Sequence, residues 1–194
     1  MSATTEDWLP RHRLTVEDYH RMGEVGLLAP DVRTELINGE IIDMTPPGSR
    51  HSAIVTYLTH ALTAAVGNAA LVSVQSPLRL NRMNEPQPDL QLLRRRDDFY
   101  VKALPAGPDV LLAIEVADSS LRYDRQIKLP LYATHGIEEF WLVDLNAKEL
   151  IRCRKPRNGR YDEIVAVGPA MLREPATTIS DFRIDLSRLF ELVE

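Results

Sequence analysis

Three charged residues in the middle of the chain have types and positions suited to phosphate chemistry. Asp89 and Glu115 each lie at the end of an apolar run, in PQPDLQLL and VLLAIEV, and Lys128 follows in RYDRQIKLPLYA. Two carboxylates on neighbouring strands can hold a divalent cation through hard oxygen ligands. A nearby ammonium group can then orient a water molecule or stabilise a phosphate. The pattern predicts a site for metal-assisted hydrolysis of a phosphodiester.

The two acids meet only if the segments that carry them are adjacent strands. QPDLQLLRR and DVLLAIEVA both have the composition of strands, and the second is apolar almost throughout, as expected for a central strand buried on both faces. Sequential strands tend to be neighbours in space, so one end of a sheet could bring the carboxylates together. Converging carboxylates repel each other, and a cation relieves that repulsion.

The lysine belongs to a predicted helix, RYDRQIKLPLYATHG. Asp124 and Lys128 are four residues apart and share a helix face, which Tyr132 continues. That face could place Lys128 beside the metal. The alternative is a solvated Asp124–Lys128 ion pair of little energetic weight, and the pattern alone favours this alternative.

The remaining segments predict a mixed α/β core built on one sheet with flanking helices. An N-terminal helix with Thr15 as its N-cap precedes a hairpin that turns at Asn38-Gly39. Further predicted elements are a helix in HSAIVTYLTHALTAAVG, a strand in ALVSVQSPLRLN broken near Pro77, a strand that turns at Asn146 and returns in EEFWLVDLNAKELIRCRK, a strand in YDEIVAVG and a terminal helix in ISDFRIDLSRLFELVE.

Composition sets the outer limits of these interpretations. The chain has 194 residues, a net charge of -5 and a single cysteine, Cys153. One domain spanning residues 1–194 is expected, with residues 1–13 flexible. One cysteine excludes an internal disulfide framework and a cysteine-rich zinc site. The sequence contains no signal-peptide pattern and no stretch apolar enough to span a membrane, so a cytoplasmic protein without membrane association is expected.

The motifs that carry the acids and the lysine also resemble a known family. PQPDLQLL, LLAIEVADSSLRYDRQIKLPLYATHGIEEFWLVDL and RTELINGEIIDMTPPGSRHSAIVTYLTHAL are similar in order and spacing to the Uma-type family of putative endonucleases, part of the PD-(D/E)XK superfamily. The resemblance covers about residues 14–146. It implies a restriction endonuclease-like core, in which a mixed β-sheet is flanked by helices and preceded by a helix and a β-hairpin.

The resemblance also implies roles for individual residues. Asp89 matches the acid of the PD element and Glu115 the second acid. The lysine common in the superfamily would fall on Ala117, whereas the Uma-type pattern takes its lysine from the following helix, where Lys128 fits. With the carbonyl of Val116, the two acids would bind Mg²⁺, or Mn²⁺ in its place.

Two more residues enter through the resemblance alone. Glu35, in the ELINGE hairpin, and His51, at the start of the long helix, are implied at the rim of the site. Pro130 departs from the family pattern. Either it interrupts the helix, or the helix starts near Leu129 with Pro130 in its first turn, and Lys128 lies on the entering loop.

The implied function is cleavage of DNA phosphodiester bonds, and a homodimer matched to the two-fold symmetry of the duplex is expected. Two basic runs, residues 94–96 and residues 152–160, could contact the nucleic-acid backbone or be solvated loop ends, with equal support from the sequence. Two alternatives stay open. One is a non-catalytic binding or assembly module that keeps the nuclease fold, which is compatible with the acidic pI, Ala117 and Pro130. The other is a hydrolase for a small phosphorylated substrate, which would need no long basic surface.

Overall fold

The computed structural model describes residues 11–168, Leu186 and residues 188–193. This part of the chain forms two compact units. One comprises the described residues up to Thr45 together with Leu80–Pro86, and the other comprises Pro46–Arg79 and the described residues from Gln87 onward. The sequence predicts flexibility for residues 1–13 and a terminal helix in residues 179–194. Both stretches lie largely outside the described residues, although a short 3₁₀ turn occurs at Glu191–Val193.

The first unit contains the predicted helix and hairpin. Helix α1 (Val16–Glu24) begins at Thr15, whose hydroxyl accepts the Asp18 N–H while the Asp18 carboxylate accepts the Thr15 N–H. Strands β1 (Thr34–Ile37) and β2 (Glu40–Asp43) pair antiparallel across Asn38-Gly39. Both turn residues have positive φ, 51° and 73°, which is the reason that this dipeptide forms tight hairpins.

The second unit is built on a six-stranded sheet. Its strands are β3 (Ala70–Val74), β4 (Leu90–Arg94), β5 (Val110–Ala117), β6 (Glu139–Asp144), β7 (Glu149–Arg157) and β8 (Arg160–Val167). They lie side by side in chain order, antiparallel except for the parallel pair β5–β6. All eight residues of β5 are buried, which confirms the prediction of a central strand.

Helices cover both faces of this sheet. Helix α2 (Ser49–Val66) contributes Leu58 and Leu62 to the main hydrophobic core, which also contains Leu112 and Trp141 of the sheet. The crossover between β5 and β6 is one helical run made of α3 (Leu121–Tyr123), a π-helical segment (Asp124–Lys128) and α4 (Leu129–Thr134). The ring of Tyr132 in α4 lies 5.3 Å from that of Phe140, on the face opposite α2. The mixed α/β fold expected from the sequence is therefore confirmed.

The predicted strand ALVSVQSPLRLN is shorter than expected. Strand β3 ends at Val74, because Gln75 adopts a left-handed backbone conformation with a φ of 47°. The strand thus ends three residues before Pro77. None of the helices in the described residues combines the length and the apolar character needed to cross a bilayer.

Candidate active site: a buried acid pair with a lysine

The sheet register places Asp89 and Glu115 at the same end of the paired strands β4 and β5. Leu90 of β4 pairs with Ile114 of β5 in antiparallel register. Asp89 precedes Leu90 and Glu115 follows Ile114, so the two acids are the next residues beyond this pair. The Gln75 N–H donates to the Asp89 carbonyl at 3.0 Å, which extends the ladder to this residue. Asp89 is 7% exposed and Glu115 is 3% exposed. Two acids from different strands are thus buried at one end of the sheet.

The carboxylate of Asp89 is held by three donors from three segments of the chain. His51 Nε2, from the first turn of α2, lies 3.0 Å from Oδ2, and the Val116 N–H donates to the same oxygen at 2.9 Å. Gln75 Nε2 donates to Oδ1 at 3.3 Å. The structure therefore places His51 beside Asp89.

These contacts set the charge state of Asp89. Burial by itself would raise the pKa of the carboxyl group. The hydrogen bond and charge of His51, the Val116 N–H and the charge of Lys128 act in the opposite direction and outweigh burial, so the pKa of Asp89 lies below its ordinary value. Asp89 is accordingly an anion at neutral pH and available as an oxygen ligand.

Glu115 is held from the crossover helix. Lys128 Nζ donates to Oε1 at 3.0 Å, and the Tyr132 hydroxyl donates to the same oxygen at 2.7 Å. Lys128 is 3% exposed and Tyr132 is fully buried. An ammonium group in such surroundings is costly to desolvate without a close anion, and the adjacent carboxylates satisfy that requirement.

The π-helical segment explains how Lys128 reaches the site next to a proline. The Leu129 N–H bonds the Asp124 carbonyl, a five-residue step, so the hydrogen-bond register shifts before Pro130, which has no N–H to donate. Pro130 occupies the first turn of α4, as one of the two expectations had it. The expectation that Lys128 would lie on an entering loop is wrong, because the helical run continues through it. The solvated Asp124–Lys128 pair is also wrong, since both residues are buried.

The donor set at this end of the sheet fits a magnesium-type ion. In an extended strand the N–H and C=O of one residue point to the same side, so the Val116 carbonyl is directed, like its N–H, toward Asp89. No group of three or more His, Cys, Asp or Glu side chains in the described residues could hold a metal ion. Mg²⁺ commonly binds through one or two carboxylates and completes its shell with water and phosphate oxygens, so an acid pair is sufficient.

Glu35 is the remaining residue that the sequence resemblance implies at the site. It lies on β1 of the first unit, where it is 1% exposed. Its place at the rim of the site rests on the sequence resemblance and stays a prediction.

The basic run at residues 94–96 is engaged within the protein. Arg96 bonds the Asp98 carboxylate with both Nε and a terminal nitrogen, at 3.0 and 2.8 Å, and its guanidinium stacks on Tyr100. Arg94 donates to the Pro108 carbonyl. Arg94 also ends β4, five residues from Asp89, which corresponds to about 17 Å along a strand. The run at residues 94–96 therefore lies at the opposite end of β4 from the acid pair.

Two glutamines at the site were not singled out from the sequence. Gln75 holds Asp89 by its backbone and side chain, and its left-handed φ leaves no sequence signal in a residue other than glycine. Gln91 lies on β4 two residues beyond Asp89 and is fully buried. A signal existed for Gln91, because an amide in a strand buried on both faces needs a polar partner there.

Comparison with known proteins relates this geometry to nucleases. The family model Uma2, described as putative restriction endonuclease, matches residues 16–187. A solved structure of a putative nuclease belonging to DUF820 from Anabaena variabilis ATCC 29413 superposes with a TM-score of 0.74 at 17% sequence identity. The match covers 93% of this chain and 99% of that chain.

At this level of identity the solved structure shows a shared fold, and the family model supplies the relationship in sequence. A search of curated proteins gives no match. The family model spans nearly the whole described chain and includes the acid pair, His51 and Lys128. The resemblance noted in the sequence is thereby confirmed, and the chain belongs to the Uma2 family, the putative restriction endonucleases.

Proposed function

We propose that this protein is a divalent-metal-dependent endonuclease that hydrolyses phosphodiester bonds of DNA. Membership of the Uma2 family supports a nuclease. The observation that carries the proposal is the buried pair Asp89 and Glu115 with Lys128 Nζ 3.0 Å from Glu115 Oε1. Two acids and a cation at one sheet end form an arrangement that can act on a phosphate.

The residues that would hold the cation are Asp89 and Glu115, with the carbonyl of Val116. Mg²⁺ suits this set of hard oxygen donors, and Mn²⁺ can replace it. When bound, such an ion polarises a phosphoryl oxygen and increases the acidity of a water molecule.

The side chains of the protein provide orientation and charge. His51, Gln75 and the Val116 N–H fix the Asp89 carboxylate, and its lowered pKa keeps it ionised. The Tyr132 hydroxyl fixes Glu115. The ammonium group of Lys128 is held at the same place, where it can orient the attacking water or offset negative charge that develops on the phosphate.

The decisive experiment measures cleavage of plasmid and linear DNA with Mg²⁺ or Mn²⁺ by the wild type and by Asp89→Asn. We expect the substitution to reduce cleavage at least about 100-fold, because it removes an anionic ligand while keeping the shape of the side chain. Asp162→Asn, an identical change at an exposed position of β8, is the matched control and should cleave like the wild type. Full metal-dependent cleavage by Asp89→Asn contradicts the assigned mechanism.

One observation favours a second candidate, a nuclease-fold module that binds without cleaving. Both acids already accept hydrogen bonds from protein donors, Asp89 from three groups and Glu115 from two. Such a module predicts no cleavage of any DNA form and DNA binding that EDTA does not alter. The homodimer expected for double-strand cleavage also stays a prediction, which sedimentation with and without a short duplex would test.

A further inference from the structure

Gln91 is fully buried on β4, and only one end of its side-chain amide is paired within the described part of the chain. Nε2 donates to the Ser76 carbonyl at 2.9 Å. Oε1 receives no hydrogen bond from any described residue. A buried acceptor left unsatisfied costs about 1–3 kcal/mol, so its retention calls for a donor that the described residues do not supply.

The sheet register places this acceptor next to the acid pair. Gln91 pairs with Ala113 of β5, and two residues further along the two strands lie Asp89 and Glu115. Because side chains alternate between faces, Gln91 and Glu115 project from the same face as diagonal neighbours, about 7 Å apart at their Cβ atoms.

The charges on this face define what the amide oxygen can recognise. Lys128 and Tyr132 both act as donors there, toward Glu115 Oε1. A third carboxylate would add repulsion to the acid pair, whereas an amide oxygen adds an acceptor without adding charge. A water molecule is a suitable donor, and Mg²⁺ in proteins usually keeps several waters of hydration.

We propose that Gln91 Oε1 accepts a hydrogen bond from a water molecule in the hydration shell of the cation that Asp89 and Glu115 would bind. Gln91 is then a positioning residue that selects a hydrated divalent ion and fixes its orientation. This inference rests on the proposed function. Groups in this outer shell typically contribute 10- to 100-fold to metal affinity.

A purely structural role is the competing explanation, because Nε2 also ties the residues after β3 to the sheet through Ser76. Two substitutions separate the roles. Gln91→Met removes both polar ends at similar volume. Gln91→Glu keeps an oxygen but loses the Nε2 donor, so both variants lose the contact with Ser76.

The experiment is calorimetric titration of Mn²⁺ into the wild type and both variants, with thermal unfolding without metal as a check of folding. We expect Gln91→Met to weaken Mn²⁺ binding about 10-fold and Gln91→Glu to strengthen it, because a carboxylate oxygen attracts the hydrated ion more than an amide does. Gln126→Met, the same change at an exposed position of the π-helical segment, should leave affinity unchanged.

The outcomes are distinct. Unchanged affinity in both variants, or the same loss in both, overturns the role of Gln91. If Gln91→Met does not fold, Gln91→Glu decides alone, and unchanged or weaker binding overturns the inference. If the wild type binds Mn²⁺ and Asp89→Asn does not, while neither Gln91 variant changes the affinity, the role of Gln91 is overturned and the proposed function stands. Wild type that binds no Mn²⁺, even with a short DNA duplex present, overturns both.

Discussion

Two buried glutamates on adjacent strands of the six-stranded sheet have different surroundings. Glu115 of β5 is 3% exposed and Glu139 of β6 is fully buried. Glu139 accepts the Trp141 indole N–H at 2.7 Å and faces Arg154 Nε of β7 at 3.6 Å. The guanidinium of Arg154 thus lies directly across the strand pair from this carboxylate.

Glu115 instead shares its place with a second acid. Asp89 lies beside it, and the positive charge comes from Lys128 on a different element. The two glutamates also project from opposite faces of the sheet, since Glu115 pairs with Leu142, three residues from Glu139. A buried carboxylate is therefore weak evidence of function. Two acids that are brought together from separate elements are stronger evidence, because apolar residues could fill the same buried positions.

Replacing the positively charged side chain beside each glutamate should give the largest difference in the free energy of unfolding. Lys128→Met leaves two adjacent buried acids unbalanced, and breaking such a pair typically costs about 3–5 kcal/mol of the free energy of unfolding. Arg154→Met should cost less, because the Arg154 side chain is 22% exposed, its ion pair is longer and the Trp141 N–H still donates to Glu139. Denaturant titrations of both variants measure the difference.

Added Mn²⁺ sharpens this test. It should restore part of the stability of Lys128→Met, because the ion supplies the positive charge that the acids have lost, and should leave Arg154→Met no more stabilised than the wild type. Equal losses in the two variants, with no effect of Mn²⁺, would show that the two clusters are equivalent structural ion pairs.

A smaller effect is expected from two buried tyrosines that differ in their acceptors. The Tyr132 hydroxyl donates to the Glu115 carboxylate at 2.7 Å, and the Tyr161 hydroxyl donates to the Ile137 carbonyl at 2.9 Å. Hydrogen bonds to a charged group contribute about 1.5–3 kcal/mol, against about 1 kcal/mol for neutral ones. Tyr132→Phe should therefore reduce the free energy of unfolding more than Tyr161→Phe. The reverse order in urea titrations would contradict a charged Glu115.

Local patterns predicted most of the framework. The Thr15 cap, the Asn38-Gly39 hairpin, helix α2 and the apolar strand β5 each follow from a few consecutive residues, and the structure confirms them. The placement of Asp89 next to Glu115 needed only the rule that sequential strands are neighbours. The catalytic roles of these residues and of Lys128 stay predictions.

Features that depend on tertiary context could not be predicted. The π-helical segment is followed by Pro130, which lacks an N–H, and contains Lys128, whose partner Glu115 lies in a strand that no local pattern connects to it. Glu139 follows another acid in GIEEFWLV and has the sequence pattern of an exposed strand end. It is nevertheless buried, with Arg154 brought opposite it by the β6–β7 register.

The smallest effect concerns Cys153, which lies beside the Glu139 cluster. Cys153 is fully buried, and burial raises the pKa of its thiol from the ordinary 9.0 to about 12. The neutral thiol is thus favoured in the folded state. Its contribution to stability is complete below pH 9, where the unfolded thiol begins to ionise, and is lost progressively as the pH rises toward 12.

Comparison of the wild type with Cys153→Val isolates this contribution from other alkaline titrations. The free energy of unfolding of the wild type should fall more steeply between pH 9 and pH 11 than that of the variant, while at pH 7 the two should show similar pH dependence. A thiol reagent should also modify Cys153 at neutral pH only after unfolding, since the thiolate is the reactive form. Rapid modification of the folded protein would show that solvent reaches Cys153, and parallel pH curves would show that burial does not shift its pKa. Either result would remove the contrast with the end of β5 that carries Glu115.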